Sequence, residues 1–272
     1  MTGSQNMRQA LLAISKRKIL MSSSMFSEAT KIKTAMVLAA GLGRRMRPLT
    51  DTMPKSLIPV SGKPLIDYAL DRLAASGIEK AVVNVHYFAD QVEAHLQNYS
   101  AMDVTISDER GEVLETGGGL IKARDDLGTE PIFCTNTDAI LFDTPGTEAC
   151  DKLTQAWDDG QMDALLLLCR KDQASGFPGK GDFLVADDGA LSWPDRNGPA
   201  NPDAMIFTGL QIIHPRLFAD YGVEKISTVK FWQQAMEDGR LYGVAHDGFW
   251  MHVGDPDGLK DAEAWIERGV FA

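Results

Sequence analysis

From Thr34 onward, short apolar runs alternate with segments whose apolar residues recur every three or four positions, so strands alternate with helices. "TAMVLAA" (34–40) reads as a buried strand closing on Gly41. In "PLIDYALDRLAASGI" (64–78), Leu65, Ile66, Ala69, Leu70 and Leu73 share one helical face, and Gly77 ends the helix. "KAVVNVHY" (80–87) predicts a second strand, "ADQVEAHLQNY" (89–99) a helix and "DVTISDE" (103–109) a third strand. "GLIKARDDLG" (119–128) is helical, and "PIFCTNTDAIL" (131–141) is a fourth strand followed by its exit loop. This order predicts an α/β fold with a doubly wound, mainly parallel sheet covered by helices on both faces. Ligands of such sheets lie beyond the carboxyl ends of the strands. That singles out the loops "GLGRRMRPLT" (41–50) and "NTDA" (136–139).

The second half is less regular. "KLTQAWDDG" (152–160) is helical and "MDALLLLCR" (162–170) is a central strand. "GDFLVADDGALSW" (181–193) has the pattern of a hairpin turning at "DDG". "AMIFTGLQIIHPRLF" (204–218) is a strand running into a proline-limited turn, and "TVKFWQQAMEDG" (228–239) is a helix. "LYGVAHDGFWMHVGD" (241–255) predicts two short strands, and "PDGLKDAEAWIERG" (256–269) a closing amphipathic helix. No repeat stands out, and no hexapeptide period announces an appended β-helix.

Composition narrows the classes. The 272 residues hold 38 acidic and 27 basic side chains, a net charge of -11, which disfavours a nucleic-acid binder. No apolar run approaches the roughly 20 residues of a membrane helix. Cys134, Cys150 and Cys169 have neither CxxC spacing nor clustered histidines, and read as reduced, buried thiols of a cytoplasmic protein. Residues 1–33 carry Arg8, Lys16, Arg17, Lys18, Lys31 and Lys33 against the single acid Glu28. They read as a basic, disordered extension ahead of one domain spanning 34–272.

Positive charge is concentrated in one place, the arginines at 44, 45 and 47 behind Gly41 and Gly43. A glycine turn after a strand offers backbone N–H groups to an anion. The dinucleotide pattern fails, because its third small residue would be Met46 and the second strand ends without an acid. The Walker pattern fails too, since Lys55-Ser56 follows Pro54 outside its frame.

"LAAGLGRRMRPLTDTMPKSLIPVSGKPLIDY" (38–68) resembles, without a gap, the signature of the sugar-1-phosphate nucleotidyltransferases, LAxGxGxRLxPLT followed by PKxLxPVxGKPLI. "LETGGGL" (114–120), "NTDA", "FTGLQIIHP" (207–215) and "WMHVGDPDGL" (250–259) resemble the family's later motifs in order. The resemblance implies a Rossmann-like, GT-A-like fold with small β insertions. It also implies attack of a sugar 1-phosphate oxygen on the α-phosphate of a nucleoside triphosphate, releasing pyrophosphate. By matching position, Leu38, Ala39 and Ala40 lie beside the nucleobase and ribose, and Gly41 and Gly43 admit the phosphates. Arg45 binds the triphosphate, Arg44 faces solvent or its pyrophosphate tail, Lys55 bridges the phosphates of both substrates, and Asp138 holds Mg²⁺, with Mn²⁺ as the alternative. Gly117 and Gly118 pass backbone close to the nucleotide, and Glu115 accepts a sugar hydroxyl. Gly181, Asp182, Thr208 and Gly209 form the acceptor side.

One departure stands at His252, where many relatives have an Asp. Imidazole is a poor magnesium ligand. His252 therefore ligates a softer metal, contacts a substrate phosphate, or leaves Mg²⁺ to Asp138, phosphates and water. The short chain resembles the compact uridylyltransferases acting on N-acetylmuramate 1-phosphate in cell-wall recycling. The alternatives are a mannose-1-phosphate guanylyltransferase and, from another class, a non-catalytic nucleotide-sugar-binding protein. Partners beyond the two substrates reduce to copies of the chain, as a monomer or small homo-oligomer.

Overall fold

In β1 (Thr34–Leu38) successive side chains enter opposite cores, Ala35 and Val37 on one face and Met36 on the other. The computed structural model describes residues 32–195 and 197–269; the basic segment up to Lys31 lies outside the described residues. The helices are α1 (Leu65–Ala75), α2 (Ala89–Leu96), α3 (Glu115–Leu127), α4 (Ala149–Ala156), α5 (Val229–Glu237) and α6 (Pro256–Glu267). In the two larger sheets the strands after β1 are β2 (Lys80–Val85), β3 (Asp103–Asp108), β4 (Ile132–Asn136), β5 (Ala139–Phe142), β6 (Ala164–Cys169), β7 (Ala174–Ser175), β8 (Ile206–Ile213), β9 (Leu241–Ala245) and β10 (Phe249–His252).

Seven strands form the main sheet in the order β9-β6-β8-β4-β1-β2-β3. β8 runs antiparallel to β4 and β6, and the other neighbours pair in parallel, as the alternating pattern predicts. β6 shows why its run of leucines is continuous: Leu165 and Leu167 pack under α4, while Leu166 and Leu168 pack in the core that holds α3 and α5. Each such side chain contributes roughly 1.5–3 kcal/mol when buried. The 184–185 and 191–192 pairing is the hairpin expected around "DDG".

One expectation changes. "PIFCTNTDAIL" is not a strand and exit loop but two strands, because the chain turns at Thr137 and Asp138 and β5 leaves for a second sheet, β5-β10-β7. β9 and β10 likewise separate, β9 pairing in parallel with β6 and β10 antiparallel with β5. α6 packs on this small sheet through Ala262, with Met46, Ile140, Met251 and Val253 in the same apolar cluster. Register then sets the site: Leu38 ends β1 opposite Asn84 of β2 and Asn136 of β4.

Cys134, Cys150 and Cys169 are free and buried, and burial pushes the Cys150 thiol up to about 11. Among the described residues no helix is long and apolar enough to cross a membrane.

His246, enclosed at the start of the β9–β10 connection, has Nδ1 3.9 Å from Asp143 Oδ1. Burial holds it below its ordinary 6.5, against the pull of Asp143. His214 and His252 are lowered too, by burial first. An unfolded chain therefore binds more protons just below pH 6.5 than the folded one, so stability is full above that value and erodes as pH falls through it. Glu109, raised by burial, works in the opposite sense, losing its contribution as pH rises. The three histidines outnumber it, so Tm is expected to fall between pH 7.5 and 5.5. The fall should be shallower in His246→Leu, measured by calorimetry at matched ionic strength; an identical slope would remove His246 from the account.

Candidate active site

Beyond Leu38 the chain opens into Ala39-Ala40-Gly41, which rims a cleft of about 220 Å³ at the carboxyl ends of β1, β2 and β4. A Cβ on Gly41 would meet nothing within 4 Å, so the fold leaves this edge open. Gly43 is different. Its φ is +59°, and a Cβ there would lie 2.9 Å from Thr50 Cγ2 and 3.0 Å from Lys55 Cβ. Its carbonyl accepts from Met46 N and from Thr50 Oγ1, each at 2.9 Å, which folds Arg44–Met46 into a single tight turn. Met46, fully buried, pins that turn into the core under α6. The residue that breaks the dinucleotide pattern is thus the anchor of the loop. Arg44 and Arg45 are left exposed, and Arg47 pairs with Asp51 at 3.2 Å away from the cleft.

Lys55 Nζ donates to Asp138 Oδ2 at 2.9 Å across the cleft. Asp138 occupies the turn where the chain changes sheets, and its carbonyl accepts from Val253 N at 2.8 Å, which fastens that turn to the end of β10. His252 and Arg45 converge beside Gly254: a Cβ there would overlap His252 Nε2 and come 3.3 Å from Arg45 Nη2. The sequence candidates Arg45, Lys55, Asp138 and His252 therefore meet at one corner. Burial would raise the Asp138 carboxyl, but the charges of Lys55, His252 and Arg45 outweigh it and hold it below its usual range. His252 is lowered by burial, with Lys55 and Arg45 adding to the effect against Asp138. At neutral pH the corner combines two cations, one carboxylate and a neutral imidazole. Trp250 stacks behind His252 with ring centroids 5.7 Å apart, and its Nε1 donates to Thr208 O at 2.9 Å, so it is a core support. Asp255 is spent on capping α6, accepting from Gly258 N at 2.9 Å.

A closed metal site needs three or four protein ligands. Among the described residues no three His, Cys, Asp or Glu side chains cluster to hold an ion. What stands here fits a hard divalent cation that keeps water and takes substrate phosphates beside one carboxylate. Asp138 is the carboxylate that stands at this corner.

One wall of the cleft pairs Asn84 with Glu109, a partner that the sequence did not disclose. Asn84 Oδ1 accepts from Ala39 N at 2.7 Å, and its Nδ2 donates to Glu109 Oε1 at 2.8 Å. Glu109 is 1% exposed, and burial raises its carboxyl against the hydrogen bonds of Asn84 Nδ2 and Leu114 N. In "SDERGEV" it looks like one more surface charge, and only β2–β3 pairing turns it inward beside Asn84.

Several of the remaining candidates meet protein groups. Gly117 and Gly118 do not face the cleft: both amides donate to Ile226 O at 2.9 Å. A Cβ on Gly118 would overlap Glu224 O, and one on Gly117 would lie 2.9 Å from Ile226 O. These glycines, in the first turn of α3, let the 224–228 loop lie against the helix. Gly119 has the inward task, since a Cβ there would stand 2.8 Å from Asn84 Nδ2. Gly118→Ala is accordingly expected to cost about 3 kcal/mol by overpacking, read from urea unfolding. A variant as stable as the parent would refute the close approach.

Glu115 and Thr116 do line the cleft, Glu115 with a left-handed φ of +63°. Gly181 and Asp182 lie instead on a separate depression of about 330 Å³ with Lys180 and Asp195. Gly181 approaches Ala204 too closely to carry a Cβ, and Asp182 Oδ2 accepts from Phe207 N at 2.9 Å, so both brace the 181–207 crossing. Thr208, 1% exposed, donates Oγ1 to Leu167 O at 3.0 Å. Gly209 backs the cleft wall, its missing Cβ leaving room for Asn136. Hydrogen bonding and packing use these positions where the resemblance implied sugar contact.

With this geometry in place, the sequence matches the model of the Nucleotidyl transferase family over residues 34–177. The chain belongs to the nucleotidyl transferase family. An N-acetylmuramate alpha-1-phosphate uridylyltransferase of Caulobacter vibrioides is 46% identical over 242 residues, covering 88% of this chain and 98% of that protein. One of the same name from Neisseria meningitidis serogroup B is 36% identical over 85% of this chain and 96% of its own length. A mannose-1-phosphate guanyltransferase of Aspergillus fumigatus is more distant, at 30%, and this chain spans 61% of it. Among solved structures, a UDP-glucose pyrophosphorylase complexed with UDP-glucose superposes with a TM-score of 0.73 at 17% identity, covering 88% of this chain and 99% of that one. That likeness concerns the fold. In this nucleotidyl transferase, the family match covers the arginine loop, Lys55 and Asp138, and stops short of β10 and His252.

Proposed function

We propose that this chain transfers a uridylyl group from UTP to N-acetylmuramate 1-phosphate, giving the UDP-sugar and pyrophosphate. The observation that carries the reaction class is the Lys55–Asp138 pair at the carboxyl end of the sheet, with Arg45 and His252 beside it. The choice of UTP and N-acetylmuramate 1-phosphate leans on the kinship with the Caulobacter vibrioides protein over 88% of this chain.

In-line attack on an α-phosphate needs two anions held together and the growing equatorial charge neutralised; little covalent help is required. Ala39, Ala40 and the open edge at Gly41 receive the nucleotide, with Asn84 holding the Ala39 amide in place. Lys55 turns from Asp138 alone to share its charge with the incoming phosphates, and Arg45 covers the triphosphate from the loop. A divalent cation held by Asp138 and phosphate oxygens would neutralise the same charge. Asp138, kept ionised by Lys55, is ready for that task without first losing a proton. Neutral His252 offers one ring nitrogen to the phosphate corner.

Pyrophosphate release tests the proposal directly. UTP, GTP, CTP and dTTP are crossed with the 1-phosphates of N-acetylmuramate, mannose, glucose and N-acetylglucosamine, with Mg²⁺ and again with Mn²⁺. Turnover is expected for UTP with N-acetylmuramate 1-phosphate. Preferred turnover of GTP with mannose 1-phosphate would transfer the assignment to the guanylyl reaction. A rise in Tm with UTP and no pyrophosphate in any pair would make the chain a binding protein.

A further inference from the structure

Ser56 is 1% exposed, and its Oγ is buried without a hydrogen-bond partner. It sits in the tight turn Lys55–Leu57, lines the cleft, and follows directly on the lysine that holds Asp138. Leaving a hydroxyl dry and unpaired in a folded chain is unfavourable, because it forfeits its bonds to water and gains none in return. Around it Leu57 N donates to Pro54 O at 3.0 Å and Ile58 N to Lys55 O at 3.1 Å. These bonds hold the turn, and the side-chain donor it buries without a partner belongs to a residue that lines the cleft. Such a donor gains most from an acceptor that carries charge.

We infer that Ser56 Oγ is a substrate-binding donor, completing its hydrogen bonding on a phosphate oxygen of the bound nucleotide, next to Lys55. This rests on the nucleotidyl-transfer reading of the cleft. The neighbouring groups favour phosphate over base: Lys55 and Asp138 mark the charged end of the cleft, whereas Asn84 and Glu109 mark the other wall, where the donors are already used on protein acceptors. In the sequence Ser56 occupies the open position of the PKxL signature, so the family motif does not call for it.

Ser56→Ala separates this role from a packing role, because the two move stability in opposite directions. Removing an unpaired buried hydroxyl is expected to raise the Tm of the unliganded protein by about 2–4 °C. The same change should lower kcat/KM for UTP by about tenfold or more, since a hydrogen bond to a charged group is lost, and should shrink the Tm gain produced by UTP. Uridine, which has no phosphate, should protect parent and variant equally.

Unchanged kcat/KM with an unchanged UTP shift would overturn the inference, while a parent protein that releases pyrophosphate keeps the proposed function intact. Equal losses for UTP and uridine would overturn the phosphate assignment and put the hydroxyl on the nucleoside. A parent silent in every pair would refute the reaction itself, an outcome visible before the variant is made.

Discussion

Asp138→Asn should lower kcat by about a thousandfold or more, because the amide keeps the shape of the side chain and discards the charge that a divalent cation and Lys55 both need. Asp138 and Lys55 have side chains 26% and 13% exposed, so their pairing is sheltered without being sealed. Its loss is expected to cost stability only about 1 kcal/mol. The affinity for UTP in excess chelator should move the other way. With the carboxylate gone, Arg45 and Lys55 face an incoming triphosphate without internal competition, so ground-state binding should hold or tighten while turnover collapses. Calorimetric titration of UTP with EDTA present, set beside pyrophosphate release with Mg²⁺, reads both. Near-normal turnover in the Asn variant would remove Asp138 from the reaction.

Arg45→Ala is the second large effect. The guanidinium is exposed on a turn held by Gly43, Thr50 and Met46, none of which needs it, so Tm should stay within about 1 °C, as for a surface substitution. kcat/KM should fall by about 10³-fold, the order of a single preorganised cation acting on developing phosphoryl charge. Arg45→Lys should recover part of this, since it restores charge without the planar fork. Arg44→Ala gives the internal comparison on the same turn. A loss at position 44 equal to that at 45 would mean that the loop acts through bulk charge, and that the convergence of Arg45 with His252 has no special part.

Much of this was open to reading before any coordinates. The alternation of apolar runs and helical faces gave strands and helices in their order, because a sheet buried on both faces needs unbroken apolar strands such as "ALLLL". The rule that ligands lie beyond the carboxyl ends of strands marked the loops 41–50 and 136–139, which hold the arginines and Asp138, whereas Lys55 was marked by the resemblance. At Gly117 and Gly118 the structure shows a protein neighbour that the sequence did not announce, for a physical reason. A glycine admits any backbone that comes close, and sequence cannot say whether the visitor is a nucleotide or, as found, the 224–228 loop.

What the sequence by itself determined is local: which segments bury, the order of strands and helices, and which loop gathers positive charge. What only the tertiary structure decided is which distant residues meet. Asp138 stands 83 positions from Lys55 along the chain and pairs with it because β5 changes sheets at Thr137-Asp138. Glu109 becomes a buried partner of Asn84 because β2 and β3 lie side by side. Asp182 and Thr208 were drawn into holding strands together, by hydrogen bonds to Phe207 N and Leu167 O. Side-chain chemistry limits what each of these residues can do; burial and pairing, set by contacts between remote segments, choose which of those capacities is used.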